Sequence, residues 1–134
     1  MNDNNLISLS RKITERAKQV LAKDNYLAPK VLFMSNNKPP EEANIDLESF
    51  DRSCKESWRQ FFASHIKPHA QQLKASAVVI IEATTRDART LIACDLFTAD
   101  GMEVHVVQYY KQVANQVVFE EQVISGLGIG ERSH

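Results

Sequence analysis

Residues 90–110 read TLIACDLFTADGMEVHVVQYY, two runs rich in apolar residues on either side of an Ala-Asp-Gly tripeptide that ends at Gly101. Three residues with glycine last are typical of a β-hairpin loop whose glycine takes the left-handed conformation of a bulge. A loop of this length pairs Thr98 with Met102, and therefore pairs even-numbered residues with even-numbered residues. The sequence predicts an antiparallel hairpin whose register is set by this loop.

The register sorts the side chains of the hairpin onto two faces. Apolar side chains alone occupy one face, which we expect helices to cover: Ile92, Cys94, Leu96, Val104 and Val106. On the other face Asp95 opposes His105, and Phe97 opposes Glu103. A two-residue loop would place His105 beside the apolar set, which is a poorer separation of polar from apolar side chains.

Apolar runs predict five strands in all, over residues 31–34, 77–84, 90–98, 102–110 and 116–124. The first run is short and is bounded by Pro29 and by polar residues. Residues 38–42, Lys-Pro-Pro-Glu-Glu, predict a loop because each proline holds the residue before it in an extended conformation. The last four strands follow one another directly, so we expect a mainly antiparallel sheet.

A first helix is predicted from about Asn5 to Asp24, where apolar residues recur three or four positions apart. Asn25 is a stop signal, because asparagine tolerates the left-handed conformation that ends helices. Cationic residues lie off the apolar stripe or border it: Arg11, Lys12, Arg16, Lys18 and Lys23. On a chain close to neutrality this modest patch predicts a solvated helix face, with anion or nucleic-acid binding as the alternative.

A second helix is predicted to start at Asn44 or Asp46, either of which can cap it. Its apolar stripe continues at three- and four-residue spacing through Leu47, Phe50, Cys54, Trp58, Phe61 and His65. Pro68 should kink this helix or begin a short final helix over residues 69–74, because proline lacks the amide hydrogen that a helix interior needs.

Composition limits the class of protein. The chain has 134 residues, a formal net charge of −1, 43% hydrophobic and 25% charged residues, all typical of one globular domain. The apolar content argues against intrinsic disorder, and no apolar run approaches the roughly 20 residues that span a bilayer. Two cysteines without metal-ligand spacing argue against a disulfide scaffold. We expect a cytoplasmic protein with one domain over residues 1–124 and a mobile tail over 125–134.

The predicted fold is α+β, with two long helices packed on one face of a mainly antiparallel five-stranded sheet, in the order α-β-α-β-β-β-β. This order of helices followed by four antiparallel strands resembles the cone-shaped fold of ketosteroid isomerases. That fold places an acid or a histidine in a pocket between helices and sheet. The chain departs from it in having a single strand, not a hairpin, before the long helix. The resemblance extends to no motif, so it implies no activity.

Asp95 and His105 are the first candidates for a catalytic site, with Glu82 as a third. A carboxylate beside an imidazole fixes its tautomer and raises its basicity, which is half of a general-base arrangement. Opposite charges on a solvated sheet face are nevertheless common and stabilise by only about 0.2–1 kcal/mol. Because no nucleophile or oxyanion donor accompanies the pair, a structural role is favoured over a catalytic one.

Two further patterns concern ions. His65 and His69 are four residues apart, which on a continuous helix would put both imidazoles on one side, as a metal site requires. Pro68 interrupts that helix, so we expect no metal site. Arg86 and Arg89 lie at a predicted hairpin tip and could grip an anion, although solvated turn residues are the favoured interpretation.

The sheet face away from the helices is predicted to be an interface. In the expected register Val78 and Ile80 join the helix-covered face. The other face then holds apolar side chains at Val79, Ile81, Leu91, Phe97 and Val107. Exposed apolar surface of this kind usually marks an interface, and a two-fold dimer is the commonest way to bury it. We therefore expect a homodimer with Ile81 and Phe97 near its centre. The alternative is that the C-terminal segment or the Pro39-Pro40 loop covers this face within one chain.

The function favoured by the sequence is a non-catalytic binding or adaptor protein that acts as a homodimer, needs no cofactor and can serve a further protein partner. Two alternatives stay open. The first is a small-ligand pocket protein or enzyme of the cone type, which a pocket lined by titratable groups would favour. The second is a weak anion- or nucleic-acid-binding module that uses the basic side of the first helix, which strong salt dependence of polynucleotide binding would favour.

Overall fold

Most elements form where the sequence predicts them. The computed structural model describes residues 3–35, 39–43, 60 and 62–126. The helical elements are α1 (Asp3–Asp24), a π-helical turn (Phe62–Ile66) and α2 (Lys67–Leu73). The strands are β1 (Lys30–Met34), β2 (Glu41–Ala43), β3 (Ala77–Arg86), β4 (Arg89–Thr98), β5 (Glu103–Val113) and β6 (Gln116–Ser125). None of the helices in these ranges is long and apolar enough to cross a membrane. The predicted α+β class is confirmed.

Some predicted features lie outside the described residues. They are residues 127–134 of the predicted tail and most of the second predicted helix, including Asn44, Asp46, Leu47, Phe50, Cys54, Trp58 and Phe61. The end of the second-helix pattern is described, and there Pro68 lies in the first turn of α2. Proline is tolerated at this position because the amides of a first helical turn have no partner within the helix. Of the two predicted outcomes the short final helix forms, but it runs over Lys67–Leu73 and so begins and ends earlier than the predicted residues 69–74.

The six strands form one sheet in the order β2-β1-β3-β4-β5-β6, and all neighbouring strands are antiparallel. The strand beyond the predicted five is β2. Because Glu41 and Glu42 belong to it, the loop predicted over residues 38–42 is wrong at its end. The two prolines just before β2 keep the chain extended, and at a sheet edge their missing amide hydrogens leave no ladder bond unmade.

The hairpin of β4 and β5 has the register that the sequence predicts. Gly101 takes a φ of +91°. The amide of Thr98 donates to the carbonyl oxygen of Met102 at 2.9 Å, which closes the three-residue loop. Asp95 consequently lies opposite His105.

The connection between β3 and β4 is a tighter turn than the sequence suggests. Asp87 and Ala88 form a two-residue loop with φ values of +51° and +64°, and the loop pairs Arg86 with Arg89. Positive φ at both loop residues is typical of a type I′ turn. Neither residue is the glycine that usually marks such a turn, so the sequence pattern does not reveal it.

This turn corrects the predicted orientation of β3. It pairs odd-numbered with even-numbered residues, so Ile81 lies opposite Cys94. Val79 and Ile81 therefore point to the same side of the sheet as Cys94, whereas Val78 and Ile80 point to the other side. The expectation that Val78 and Ile80 share a face with the core residues of β4 is wrong. The two-residue loop pairs even-numbered residues of β3 with odd-numbered residues of β4, which places Val78 and Ile80 on the opposite face.

We call the sheet face that packs against the first helix the α1 face. Its buried strand residues are Ala77, Val79, Ile81, Ile92, Cys94, Leu96, Val104, Val106 and Tyr110. Helix α1 crosses β4, β5 and β6 and contributes Leu6, Ala17 and Leu21 to the same cluster. The predicted helix stop is confirmed: Asn25 takes a φ of +55°, and its amide donates to the carbonyl of Leu21 at 2.8 Å.

We call the opposite face of the sheet the α2 face. There the π-helical turn and α2 pack on β1 and β3, and Ile66 is fully buried among Val31, Phe33, Val78 and Ile80. The described end of the second predicted helix therefore lies on the face opposite α1 and not on the same face as predicted. Strands β1 and β3 carry apolar side chains on both sides, and a sheet of that kind has to be covered on both.

Replacing Gly101 with valine should destabilise the protein by about 1 kcal/mol or more. The cost is expected from the backbone alone: a β-branched residue resists a φ of +91°, while an added Cβ would meet nothing within 4 Å. The midpoint of urea unfolding measures the loss. Gly101→Asn is the matched control and should lose less, since asparagine tolerates a positive φ. Equal losses in the two variants would contradict a strained turn.

Replacing Ala88 with glycine should stabilise the protein by about 0.5–1 kcal/mol, because the left-handed strain of Ala88 exceeds the extra entropy of an unfolded glycine. Ala88 holds a φ of +64°. Thermal or urea unfolding provides the measurement. Ala83→Gly, inside β3, is the control and should destabilise, since glycine weakens a strand interior. A loss of stability in Ala88→Gly would count against the type I′ turn.

Candidate functional site

A groove opens on the α2 face where β4 turns into β5. It has a volume of about 450 Å³. Its apolar walls come from four elements and the turn: Phe62 of the π-helical turn, Ala70 of α2, Val78 of β3, Phe97 of β4 and Met102 after the turn. The rings of Phe62 and Phe97 pack with centroids 5.1 Å apart. The arrangement provides a largely apolar concave surface at one end of the sheet.

The end of α2 determines where the groove forms. Lys74 takes a left-handed φ of +55° as the C-cap, and the amide of Ala75 donates to the carbonyl of Ala70 at 2.9 Å. This bond pattern is typical of a helix that ends in a left-handed cap and reverses direction. The carbonyl oxygen of Ser76 then accepts a hydrogen bond from the amide of Ala99 at 3.1 Å. The helix end is thereby fastened to the β4–β5 turn, which forms the far wall.

Charge at the rim of the groove is mainly positive. Lys67 and Lys74 line it and are exposed, and neither forms an ion pair within the described part of the chain. Glu103 also lines it, and its Oε1 lies 3.8 Å from Nε2 of His105. The nearer partner of His105 is Asp95, at 2.7 Å, so Glu103 keeps its negative charge at the rim. Two lysines against one glutamate still leave the rim net positive, which favours an anionic group.

The predicted Asp95–His105 pair is confirmed and borders the groove. Nδ1 of His105 donates to Oδ1 of Asp95 at 2.7 Å. The imidazole meets the ring of Phe97 edge-on, with centroids 5.8 Å apart. Gly126 packs on the imidazole with a φ of +72°, and a Cβ there would come within 2.5 Å of His105. Strand β6 includes Ser125, one residue beyond the predicted end of the domain.

The surroundings of His105 favour the protonated form of its imidazole over the neutral form. The hydrogen bond that His105 donates to Asp95 raises the pKa of His105, and burial opposes this only in part. Nδ1 faces Asp95 while Nε2 faces Glu103, so both ring nitrogens are directed at carboxylates. A general base needs an unprotonated nitrogen directed at its substrate. The arrangement therefore supports a structural ion pair.

The remaining catalytic candidate, Glu82, lies on the α2 face with Asp95, one cross-strand pair of that face farther along β3. It pairs with Ala93, whereas Asp95 pairs with Ile80. Cys94 lies on the opposite, α1 face, where burial raises the pKa of its thiol to about 12. A thiol of that kind stays protonated and unreactive.

The two arginines of the β3–β4 turn are placed differently. Arg89 forms ion pairs with Glu120 and Glu121, and its guanidinium stacks 3.7 Å above the ring of Tyr109. The hydrogen bond between Arg89 and Glu121 raises the pKa of the arginine and lowers that of the glutamate. Arg86 is exposed on the other side of the turn. Arg89 is thus engaged within the chain.

The two histidine candidates do not lie on one continuous α-helix. His65 belongs to the π-helical turn and His69 to α2, where its ring lies 4.8 Å from the ring of Phe33. Across residues 3–35, 39–43, 60 and 62–126, no group of three or more metal-ligating side chains could hold a metal ion.

The residues predicted for one interface are divided between two faces. Ile81 is buried on the α1 face, whereas Phe97 forms a wall of the groove on the α2 face. Leu91 and Val107 share the α2 face with Phe97, and Leu91 is fully buried. An interface with both Ile81 and Phe97 at its centre is therefore wrong, because the two-residue turn before β4 inverts β3.

Sequence patterns predict none of Phe62, Lys67 and Lys74 as site residues. Their convergence on Phe97 depends on the left-handed cap at Lys74, for which lysine carries no signal. One available clue is the spacing of the two lysines, seven residues or two helical turns apart, which places both on one side of a helix.

The stabilising contribution of His105 should depend on pH. Its folded pKa is raised above the ordinary value of 6.5, so the contribution is complete below that value and is lost as pH rises through the folded pKa. Urea unfolding from about pH 5.5 to about pH 9 measures it. The difference in unfolding free energy between the wild type and His105→Gln should shrink as pH rises. His69→Gln is the control, and a pH-independent difference for His105→Gln would contradict the ion pair.

Comparison with known proteins assigns no family to this chain. No protein-family model, no curated protein and no solved structure matches it. The features of the described chain that bear on function are the groove, its two rim lysines and the adjoining Asp95–His105 pair.

Proposed function

We propose that this chain is a non-catalytic binding protein whose groove holds a small apolar molecule carrying a carboxylate. The groove is the observation that supports this. Its volume of about 450 Å³ falls within the range of roughly 300–1,000 Å³ common for small-molecule sites. Phe62, Val78 and Phe97 provide apolar surface, and covering such surface is the main source of affinity for an apolar ligand.

The rim explains the preference for a carboxylate. Lys67 and Lys74 flank the opening from the two ends of α2, and each ammonium is a compact cation that suits a single carboxylate. Glu103 is the one carboxylate among the described groove-lining residues, so the two lysines leave a net positive charge there. An apolar body inside and an anionic end at the mouth therefore match the distribution of polarity in the groove.

The Asp95–His105 pair favours binding over catalysis. The imidazole is held between Asp95 and Glu103 and is not among the groove-lining residues. In the cone-shaped fold that the element order resembles, the acid or histidine points into the pocket. Here the pair lies beside the groove, where the imidazole contacts the ring of Phe97.

Octanoate and 1-octanol, which share an apolar chain and differ in charge, test the proposal by calorimetric titration. Octanoate should bind more tightly than 1-octanol. Lys67→Gln combined with Lys74→Gln should weaken octanoate binding by about tenfold, since exposed ion pairs contribute up to about 1 kcal/mol each. The same double substitution should leave 1-octanol binding unchanged.

Two controls make this experiment specific. Lys12→Gln with Lys23→Gln removes the same charge from the exposed side of α1 and should leave octanoate binding unchanged. Ala70→Trp fills the groove and should weaken both ligands, with urea unfolding used to verify the fold. Equal binding of octanoate and 1-octanol, or undiminished binding to a folded Ala70→Trp, would contradict the proposal.

A further inference from the structure

Strand β6 forms a long edge of the described sheet. It spans ten residues, whereas β2 at the opposite edge spans three. An edge strand directs main-chain N–H and C=O groups away from its neighbour, and proteins either shield such an edge or use it to bind another strand. Val118 and Val123 of β6 are 49% and 47% exposed. Among the described strands, this edge thus presents apolar side chains beside main-chain groups that no neighbouring strand pairs with.

A β-bulge determines where these valines point. The register with β5 slips by one residue between Phe119 and Gln122, so β6 carries one extra residue there. In a regular strand two residues five positions apart point to opposite faces. The extra residue reverses this, and Val118 and Val123 both point to the α2 face, since both pair with odd-numbered residues of β5.

The bulged strand is complementary to a second copy of itself. If two β6 strands pair antiparallel about a point between Glu120 and Glu121, Val118 lies opposite Val123 of the second copy, and the reverse pair forms as well. Residues directly opposite in antiparallel strands point to the same face and pack at about 4.5–5.5 Å between Cβ atoms. Val118 and Val123 meet this requirement only because of the bulge.

The centre of this pairing is electrically balanced. Glu120 and Glu121 lie beside the two-fold axis, and Arg89 binds both carboxylates in its own chain. Lys111 lies 3.4 Å from Glu120. Two acids and two bases from each copy leave no net charge, so the carboxylates do not force the two edges apart.

We propose that the protein forms a two-fold dimer in which the β6 strands of two copies join their sheets into one continuous sheet. The same surface meets itself, as a closed two-fold dimer requires. The proposal is independent of the groove, whose walls come from the other strands, the π-helical turn and α2. It places the homodimer expected from the sequence at a strand edge and not on a sheet face.

Sedimentation equilibrium of the full chain at about 1–100 µM, a range set by affinities typical of modest interfaces, tests the dimer. The wild type should reach about twice the chain mass of 15.2 kDa. Val118→Lys with Val123→Lys should return it to the single-chain mass, because the substitutions set lysines opposite each other. Val113→Lys is the matched control: Val113 is 56% exposed on β5, and this variant should remain dimeric.

Disulfide cross-linking tests the register in a Cys54→Ser background, where Cys94 remains as a buried thiol. A mixture of Val118→Cys chains and Val123→Cys chains should form cross-linked dimers on mild oxidation. Either variant alone should cross-link little, because identical positions would lie roughly 15 Å apart along the strands.

Each result of these two experiments either supports or overturns the proposed β6 pairing. A single-chain mass throughout the concentration range would overturn the dimer. A dimer that survives Val118→Lys with Val123→Lys, or one in which either cysteine variant cross-links alone as well as the mixture does, would overturn this interface. Loss of the dimer only in the β6 variant, with cross-linking confined to the mixture, establishes the β6 pairing.

Discussion

The positive φ of Gly101 is the constraint on which the arrangement of β4 and β5 depends. It closes a three-residue loop, and that loop length decides which residues face each other along the whole hairpin. A slip of one residue would exchange the two faces of β5 relative to β4. His105 would then enter the apolar core beneath α1 and lose Asp95. One backbone angle thus separates the buried apolar face from the face that carries the groove and its ion pair.

The contrast between the two hairpins shows what local sequence can and cannot reveal. The β4–β5 register could be predicted because Gly101 marks the loop and the flanking residues separate cleanly into apolar and polar sets. The β3–β4 register could not, because Asp87 and Ala88 adopt a type I′ turn without glycine. Strand β3 is buried on both faces over Ala77–Ile81, so its own alternation carries no information about orientation. An error of one residue in the register of β3 with β4 therefore combined residues from both sheet faces in one predicted interface.

The candidate site likewise has one part that local sequence predicts and one part that it does not. Asp95 and His105 belong to one hairpin, so a short-range rule was enough to bring them together. The groove draws its walls from a π-helical turn, a short helix and two strands, and its shape depends on the left-handed φ of Lys74. Lysine is not a typical C-cap residue, and no periodicity reports which sheet face a seven-residue helix will choose. Long-range packing, not local preference, creates this part of the molecule.

The position of α1 has a consequence for the order of folding. This helix precedes all the described strands in the sequence, yet it packs across β4, β5 and β6, the three described strands that follow it at the greatest distance. During synthesis the apolar stripe that includes Leu6 and Leu21 has no surface to bury it until the strands up to Ser125 have emerged and paired. Contacts between such distant segments slow folding and leave apolar surface open to aggregation in the meantime. A helix that precedes the strands in the sequence can therefore dock only after the strands that follow it have paired.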